Sequence, residues 1–315
     1  MTVIAPASDG QSERAILRAA RRGYARTLSF SAYAFVAPAG LLFLALILLP
    51  LITVLILSAT DYTLASTSLS FTGLDNYRTL FTDNGAWRAL VNTLTYVGIV
   101  VPAAVAIGLL LALLVHRRRR SRRFYEIVFF LPVTSTMVAM AVVWQYLLHG
   151  RIGPINAVLS AFGLPRVDFL TDPDVALYAL AAIGVWQLVG FTMVLFLAGL
   201  TAIPRELYEA AALDGADRGF DRFWRISWPL LAPTTLFVAV TTSITAFQVF
   251  DTVAVLTQGG PMKATEVLLH TIYLEGFQYF EVGYASALTV VFLLFVLAFS
   301  LIQIGIVDRR IHYGG

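Results

Sequence analysis

A set of polar and aromatic side chains lies inside the most apolar parts of this 315-residue chain. Its members carry hydroxyl, amide or aromatic groups, and Asp251 follows close behind them: Thr134, Ser135, Thr136, Gln145, Trp186, Gln187, Phe191, Thr241, Thr242, Ser243, Thr245, Phe247, Gln248 and Phe250. Aromatic rings stack on the C–H faces of sugars, and amides and hydroxyls hydrogen-bond to sugar hydroxyls. The set therefore predicts a path for a neutral sugar. For the Thr and Ser residues, and equally for Gln187 and Gln248, hydrogen bonding between neighbouring helices is a second open interpretation.

No residue pattern in the chain indicates catalysis. The sequence contains no Cys, and its four His residues lie apart without His-Glu-x-x-His spacing. Its one lysine, Lys263, follows Gly-Gly-Pro-Met, which cannot form the phosphate cradle of a Gly-x-x-x-x-Gly-Lys-Ser/Thr loop. We therefore expect no enzyme activity, metal or cofactor in this chain. An ion-coupled secondary transporter would need a carboxylate near the membrane midplane, and the spans offer Asp251 near an end.

The composition indicates a chain that is solvated mainly by lipid. Hydrophobic residues make up 58% of the sequence and charged residues 13%, whereas soluble domains carry about 25% charged residues. We predict an all-α polytopic membrane protein, because a helix of about 20 apolar residues crosses a bilayer. Six segments qualify, and together they form a transmembrane domain over residues 30–307: residues 30–58, 92–115, 127–148, 176–203, 228–256 and 284–307.

The distribution of basic residues predicts the orientation. Of the 22 basic residues, 17 lie on the side that holds the tail 1–29, the loops after spans two and four, and the tail 308–315. Because basic loops remain in the cytoplasm, we expect both termini to be cytoplasmic. The arginine-rich run at residues 116–126 lies between two spans, where it would face anionic lipid rather than nucleic acid. Residues 12–28 could form a helix on the headgroups or a disordered basic tail.

The fourth loop, residues 204–227, has a helical pattern that is unusual for a connection between spans. Glu206 and Glu209 follow Pro204 in the first turns, where carboxylates favour a helix dipole. Three alanines then continue the helix until Asp214-Gly215, which predicts a sharp turn. Phe220, Phe223 and Trp224 give a second short helix an apolar stripe: these three fall at i, i+3 and i+4. The pattern predicts a helix-turn-helix at the cytoplasmic surface that either docks into a partner's groove or covers the ends of the spans.

The same loop resembles the EAA loop of ABC-importer permeases, whose pattern is Glu-Ala-Ala, three residues, Gly, about nine residues and Ile-x-Leu-Pro. Glu209-Ala210-Ala211 and Gly215 match the first part. The later Ile226-Ser227-Trp228-Pro229 comes after ten residues and has Trp228 in place of Leu. The external stretches FTGLDNYRTLF (71–81) and VLTQGGPMKATEVL (255–268) are similar to those of the carbohydrate branch, in particular the first of two unlike permeases of the maltose and glycerol-phosphate types.

The resemblance implies a membrane-spanning subunit of a binding-protein-dependent importer in a bacterial or archaeal cytoplasmic (inner) membrane. Its expected partners are a second permease, a dimer of cytoplasmic ABC ATPase that holds ATP and Mg²⁺, an extracellular or periplasmic solute-binding protein, membrane lipid and a sugar-like solute. The implied ATPase-coupling residues are Glu206, Glu209, Ala210, Ala211, Asp214 and Gly215.

The resemblance also implies a solute pocket, at positions that overlap the polar set described above. These positions are Val133, Met137, Trp186, Gln187 and Gln248, to which the polar pattern adds Thr245. The spans contain no Lys or Arg that could pair with an anion, and an unpaired buried anion is costly. We therefore expect a neutral sugar or oligosaccharide, with glycerol 3-phosphate, a glycerophosphodiester or a polyol as the alternative.

Overall fold

A computed structural model describes residues 33–64, 69–118, 120–213 and 219–308. Residues 306–308 are described by their backbone alone. Within these ranges the protein is helical, apart from one isolated antiparallel bridge between Thr60 and Phe71. Helix α1, Tyr33–Leu57, has a mean hydropathy of 3.0 and none of its most apolar stretch is buried. A π-helical turn at Leu44–Leu48 interrupts its α-helical hydrogen bonding. The composition of this helix suits contact with lipid.

The remaining helices form a second unit from Leu57 onward. In chain order they are α2 Asp75–Thr82, α3 Asn84–His116, α4 Arg122–Thr134, α5 Met137–Leu147, α6 Pro154–Ala161, α7 Ala176–Ala202, α8 Arg205–Leu213, α9 Gly219–Arg222, α10 Trp228–Leu230, α11 Ala232–Phe247, α12 Asp251–Leu256, α13 Leu268–Tyr273 and α14 Val282–Asp308. Five described helical segments are long and apolar enough to cross a membrane when α11 and α12 are counted together as Ala232–Leu256. The number is six if the bent pair α4–α5 is one span. The described chain is therefore a multi-helix, membrane-type protein.

Helix α7 is central to the packing and lies against α3, α4 and α11. Small residues allow the close approach: a β-carbon at Gly190 would overlap the Phe129 carbonyl oxygen, and one at Gly108 would overlap the Thr192 hydroxyl. That hydroxyl donates across the interface to the Ala104 carbonyl at 2.8 Å. Small side chains and interhelical hydrogen bonds take the place of the hydrophobic effect in lipid. This packing holds α3 and α7 as the frame of the second unit.

Two of the predicted spans are interrupted in the structure. The predicted span 127–148 consists of α4 and α5, which meet at a 98° bend. The hydroxyls of Thr134 and Ser135 donate to the Leu131 carbonyl at the end of α4, at 2.9 and 3.2 Å. The predicted span 228–256 loses its helical hydrogen bonding between α11 and α12, at residues 248–250. Hydroxyl groups near a helix end can satisfy the carbonyls that a break frees.

The other predicted spans differ from the helices only at their ends. Helix α3 begins eight residues before the predicted start at residue 92, because Asp83 caps it by accepting from the Gly85 amide at 2.7 Å. Helices α7 and α14 lie within two residues of the predicted limits.

A cap segment, residues 257–281, folds back over the start of α3. The Asn92 side chain donates to the Glu266 carbonyl at 2.9 Å, and the Thr93 hydroxyl accepts from the Leu268 amide at 2.9 Å. Both bonds link positions more than 170 residues apart in the chain. They fix the cap segment, which follows α12, against the start of α3.

Candidate solute-binding site

A cavity of about 360 Å³ lies where α3, α4, α5, α7, α11 and α12 meet. The lining residues are Tyr96, Val133, Met137, Gly184, Gln187, Leu188, Phe191, Thr245, Ala246, Gln248, Val249, Phe250, Asp251 and Thr252. Both helix interruptions open onto it, since Val133 and Met137 flank the α4–α5 bend and Gln248 begins the α11–α12 break. The cavity therefore combines apolar walls with irregular backbone, as solute sites in membrane proteins do.

The structure brings together five of the six residues expected for the solute path: Val133, Met137, Gln187, Thr245 and Gln248. The side-chain amides of Gln187 and Gln248 make no hydrogen bond to any other described residue. Each amide offers two donors and one acceptor. Two unengaged amides in one cavity can therefore bind the hydroxyl groups of a polar solute.

The sixth expected residue, Trp186, lies outside this lining. Its ring packs edge-on against the Trp144 ring, with centroids 5.2 Å apart. Successive residues of a helix are rotated by about 100°, so Trp186 cannot share the direction of Gln187. Its described contact places it in packing between α5 and α7.

Tyr96 is a lining residue that the polar pattern missed. It is 4% exposed, and its hydroxyl makes no hydrogen bond to another described residue. Gly184 lies opposite, where a β-carbon would overlap the Tyr96 hydroxyl. The signal in the sequence was a tyrosine deep in an otherwise apolar helix, because a buried tyrosine hydroxyl ordinarily has a partner. A bound solute would supply that partner.

Several of the other polar candidates serve helix packing. The Thr241 hydroxyl donates to the Phe237 carbonyl at 2.7 Å, and Ser243 accepts from the Gln303 amide at 2.9 Å. Gln145 lies in a separate cavity of about 630 Å³, which Arg151 and Asp168 also line. For these hydroxyl groups, the interpretation as hydrogen bonding within and between helices describes the contacts.

The solute cavity carries one formal charge among its described lining residues, the carboxylate of Asp251. This residue is exposed at the first position of α12, and no Lys, Arg or His joins the lining. The electrostatic character is therefore polar to weakly acidic. Such a cavity suits hydroxyl-rich, uncharged solutes better than anions.

The fourth loop places most of its predicted coupling residues on one exposed helix, α8. Glu206, Glu209 and Ala210 are exposed and Ala211 is half-buried, whereas Asp214 and Gly215 lie outside the described residues. The helix is anchored through Tyr208, whose hydroxyl lies 3.2 Å from the Ser227 hydroxyl. Anchoring on one side leaves a charged, alanine-rich face open on the other.

The second helix of this loop does not end as predicted. Helix α9 continues through a π-helical turn, Phe223–Ser227, into α10. Aromatic rings link this turn, with the Phe223 and Trp228 centroids 5.9 Å apart and those of Trp224 and Trp228 5.7 Å apart. Pro229 occurs in the first positions of α10, where its missing N–H costs no hydrogen bond. The loop is therefore joined directly to the α11 span.

Comparisons with known proteins agree with this architecture. The sn-glycerol-3-phosphate transport system permease protein UgpA of Agrobacterium fabrum is 34% identical over 250 residues, which cover 78% of this chain and 84% of that protein. The probable ABC transporter permease protein YesP of Bacillus subtilis is 36% identical over 292 residues, which cover 90% of this chain and 93% of that protein. These relatives align over almost their full length.

Among solved structures, a bacterial alginate ABC transporter in complex with an alginate pentasaccharide-bound periplasmic protein contains a similar chain. The TM-score is 0.79 at 26% identity, and the match covers 92% of this chain and 98% of that chain. The family model for the binding-protein-dependent transport system inner membrane component matches residues 104–313. This protein therefore belongs to the family of inner membrane components of binding-protein-dependent transport systems.

Proposed function

We propose that this chain is one of two unlike permease subunits of an ATP-driven importer and forms half of the path for a sugar or oligosaccharide. The observation that carries the proposal is the cavity at the two helix breaks, whose lining includes the unengaged amides of Gln187 and Gln248 and the hydroxyl of Tyr96. Membership of the transport family supplies the context for this cavity. A solute delivered by a binding protein would replace its hydrogen bonds to water with hydrogen bonds to these side chains.

The charge of the cavity favours a neutral solute. A phosphate or carboxylate beside Asp251 would lack a compensating cation among the described lining residues, and burying it would be costly. The relatives keep an alternative open, because UgpA carries glycerol 3-phosphate in its name and the alginate transporter imports an acidic polysaccharide. For this chain, glycerol 3-phosphate, a glycerophosphodiester or a polyol is the second candidate. A charged solute would require the second permease to supply the cation.

Helix α8 is the proposed coupling helix. Its exposed residues Glu206, Glu209 and Ala210, with Ala211 and the outlying Asp214 and Gly215, would enter a cleft of the ATPase dimer that binds ATP and Mg²⁺. The anchor from Tyr208 to Ser227 supports this role, because motion of α8 would pass to the π-helical turn and α11. ATP then biases the bundle between inward-open and outward-open states through its differential affinity for the two.

The proposed membrane arrangement has six spans, with α4 and α5 forming one bent span and both termini in the cytoplasm. The tails 1–29 and 308–315 and the α8 side would then carry most of the basic residues. The cap segment would face outward. An ion-coupled secondary transporter is disfavoured by the family relationship, and ATP-independent uptake would be its signature.

The proposal is tested by solute-dependent ATP hydrolysis of the assembled transporter. Gln248→Leu removes one amide from the cavity, and Gln278→Leu makes the same change at an exposed position outside the cavity. We expect Gln248→Leu to raise the half-saturating concentration of solute-loaded binding protein about tenfold, because the lost hydrogen bonds leave solute hydroxyls unpaired. Gln278→Leu should match the wild type. Equal responses of both variants would show that this cavity is not the solute path.

A further inference from the structure

Another cavity, of about 370 Å³, lies at the C-terminal end of α3, beside α8. Its polar lining comes from three elements: His116 and Arg117 at the end of α3, Tyr208 on α8, and Arg222 with Ser227 around the π-helical turn. Leu113 belongs to its apolar wall. No Asp or Glu occurs in the described lining. The cavity is therefore cationic and has hydroxyl donors.

The charges in this cavity lack partners among the described residues. Neither Arg117 nor Arg222 forms an ion pair with a described carboxylate, whereas nearby Arg122 pairs with Glu126 at 2.7 Å. The Arg222 guanidinium lies 4.0 Å from the centre of the Tyr208 ring, a cation–π contact that fixes its position without neutralising it. The Nδ1 atom of His116 is buried and has no hydrogen-bond partner. A buried ring nitrogen and two unneutralised guanidinium groups lack a common acceptor.

We propose that this cavity binds a phosphate-class anion, either a phospholipid headgroup phosphate or free phosphate. A guanidinium presents a planar fork of donors that matches two phosphate oxygens, and such charge-assisted bonds are the strong ones. The Ser227 hydroxyl and the Nδ1–H of a neutral His116 ring would donate to the remaining oxygens. Among the described lining residues, no carboxylate competes for these donors.

An anion at this place would connect the end of α3 to the α8 anchor. It would relieve the repulsion between Arg117 and Arg222 and hold Arg222 against Tyr208, which carries α8. The position of α8 would then depend on occupancy of the cavity. This inference goes beyond transport of a solute, and it does not depend on which solute the other cavity takes.

The test uses the purified full-length chain and two matched double variants. Arg117→Gln with Arg222→Gln removes both cavity charges, and Arg118→Gln with Arg123→Gln removes two exposed arginines nearby that do not line it. Arg117→Gln alone is a third variant that preserves the stack of Arg222 on Tyr208. One arm titrates inorganic phosphate by calorimetry into protein in phosphatidylcholine nanodiscs. The other arm measures phosphatidylglycerol retained after purification from an equal mixture with phosphatidylcholine, by native mass spectrometry.

We expect the wild type and the Arg118/Arg123 variant to bind in at least one arm. The Arg117/Arg222 variant should bind about tenfold more weakly there, and Arg117→Gln should be intermediate. Loss confined to the calorimetric arm identifies free phosphate, and loss confined to the retention arm identifies the lipid headgroup. The proposal is overturned if the wild type binds in neither arm, or if the two double variants behave alike.

Discussion

The side-chain hydroxyl of Tyr96 lies against Gly184, so closely that a β-carbon at residue 184 would overlap it. Both residues line the solute cavity, Tyr96 from α3 and Gly184 from α7. The glycine thus sets where the tyrosine hydroxyl sits, and it does so across the most extensive helix interface of the second unit. A substitution at residue 184 therefore reaches the cavity through the ring of Tyr96.

Gly184→Ala is expected to displace the Tyr96 ring and to impair transport. Overpacking of this kind costs about 1–3 kcal/mol and moves side chains from their preferred positions. Solute uptake into proteoliposomes should fall several-fold, while the variant remains inserted in the membrane. Gly98→Ala, on the same helix as Tyr96, is the control, since a β-carbon at residue 98 would meet nothing within 4 Å. Equal uptake by both variants would contradict the role of this contact.

Tyr96→Phe separates the hydroxyl from the ring. The ring would stay in the core, but the cavity would lose a hydroxyl donor that has no described partner. We expect a half-saturating solute concentration about three- to tenfold higher, as for one lost hydrogen bond, with little change in thermal stability. Tyr178→Phe, at an exposed site, is the matched control. A loss of stability equal to the loss of transport would point to packing instead.

The cap segment should lose stability as pH falls, because of His270. Burial lowers the pKa of His270 below its usual value of 6.5, although the nearby Glu266 carboxylate opposes the shift. Since the folded pKa is depressed, the unfolded chain binds the proton first, and stability declines as pH drops below about 6.5. The slope is at most about 1.4 kcal/mol per pH unit.

The measurement is the unfolding temperature of the purified chain in detergent between about pH 5 and 7.5, a window on both sides of the usual histidine pKa. His270→Gln should flatten this dependence, whereas His149→Gln, at an exposed site, should leave it unchanged. Glu275 acts in the opposite sense at lower pH, because burial and the carboxylates of Asp83 and Glu281 raise its pKa. A wild-type profile identical to that of His270→Gln would exclude the histidine as the cause.

Long apolar helices could be predicted from the sequence because a bilayer imposes one simple requirement, a long apolar segment. The sequence did not predict the breaks at residues 135–136 and 248–250. Ser and Thr beside Pro132 are compatible with both a continuous and a broken helix, and tertiary contacts decide between them. The hydroxyl of Thr134 satisfies a carbonyl freed by the break, an option that the pattern alone could not distinguish from packing.

The sequence indicated the chemistry of the cavity residues but not the directions in which their side chains point. Gln187 and Gln248 were identified by chemistry, since amides are rare in spans, and both line the cavity. Trp186 was expected in the path as an aromatic residue of the span and by the family resemblance, yet adjacent residues of a helix point apart and its ring packs against Trp144. Tyr96 was overlooked because an aromatic residue in an apolar helix resembles core, and its unpartnered hydroxyl is visible only in three dimensions.

The central claim is that α8 couples this chain to a separate ATPase, and co-purification of the assembled complex tests it most directly. The chain would be co-expressed with the candidate second permease and a tagged ATPase, as wild type, Glu209→Lys, Ala210→Trp or the control Glu281→Lys. Glu209 and Ala210 are exposed on α8, and Glu281 is an exposed acid in the cap segment. If α8 is the coupling helix, the amount of this chain recovered with the ATPase should fall about tenfold or more for Glu209→Lys and for Ala210→Trp, but not for Glu281→Lys. Membrane insertion should be normal in all three variants. Recovery and ATP-driven uptake equal to those of Glu281→Lys would contradict the account and leave α8 as a cover over the ends of the spans.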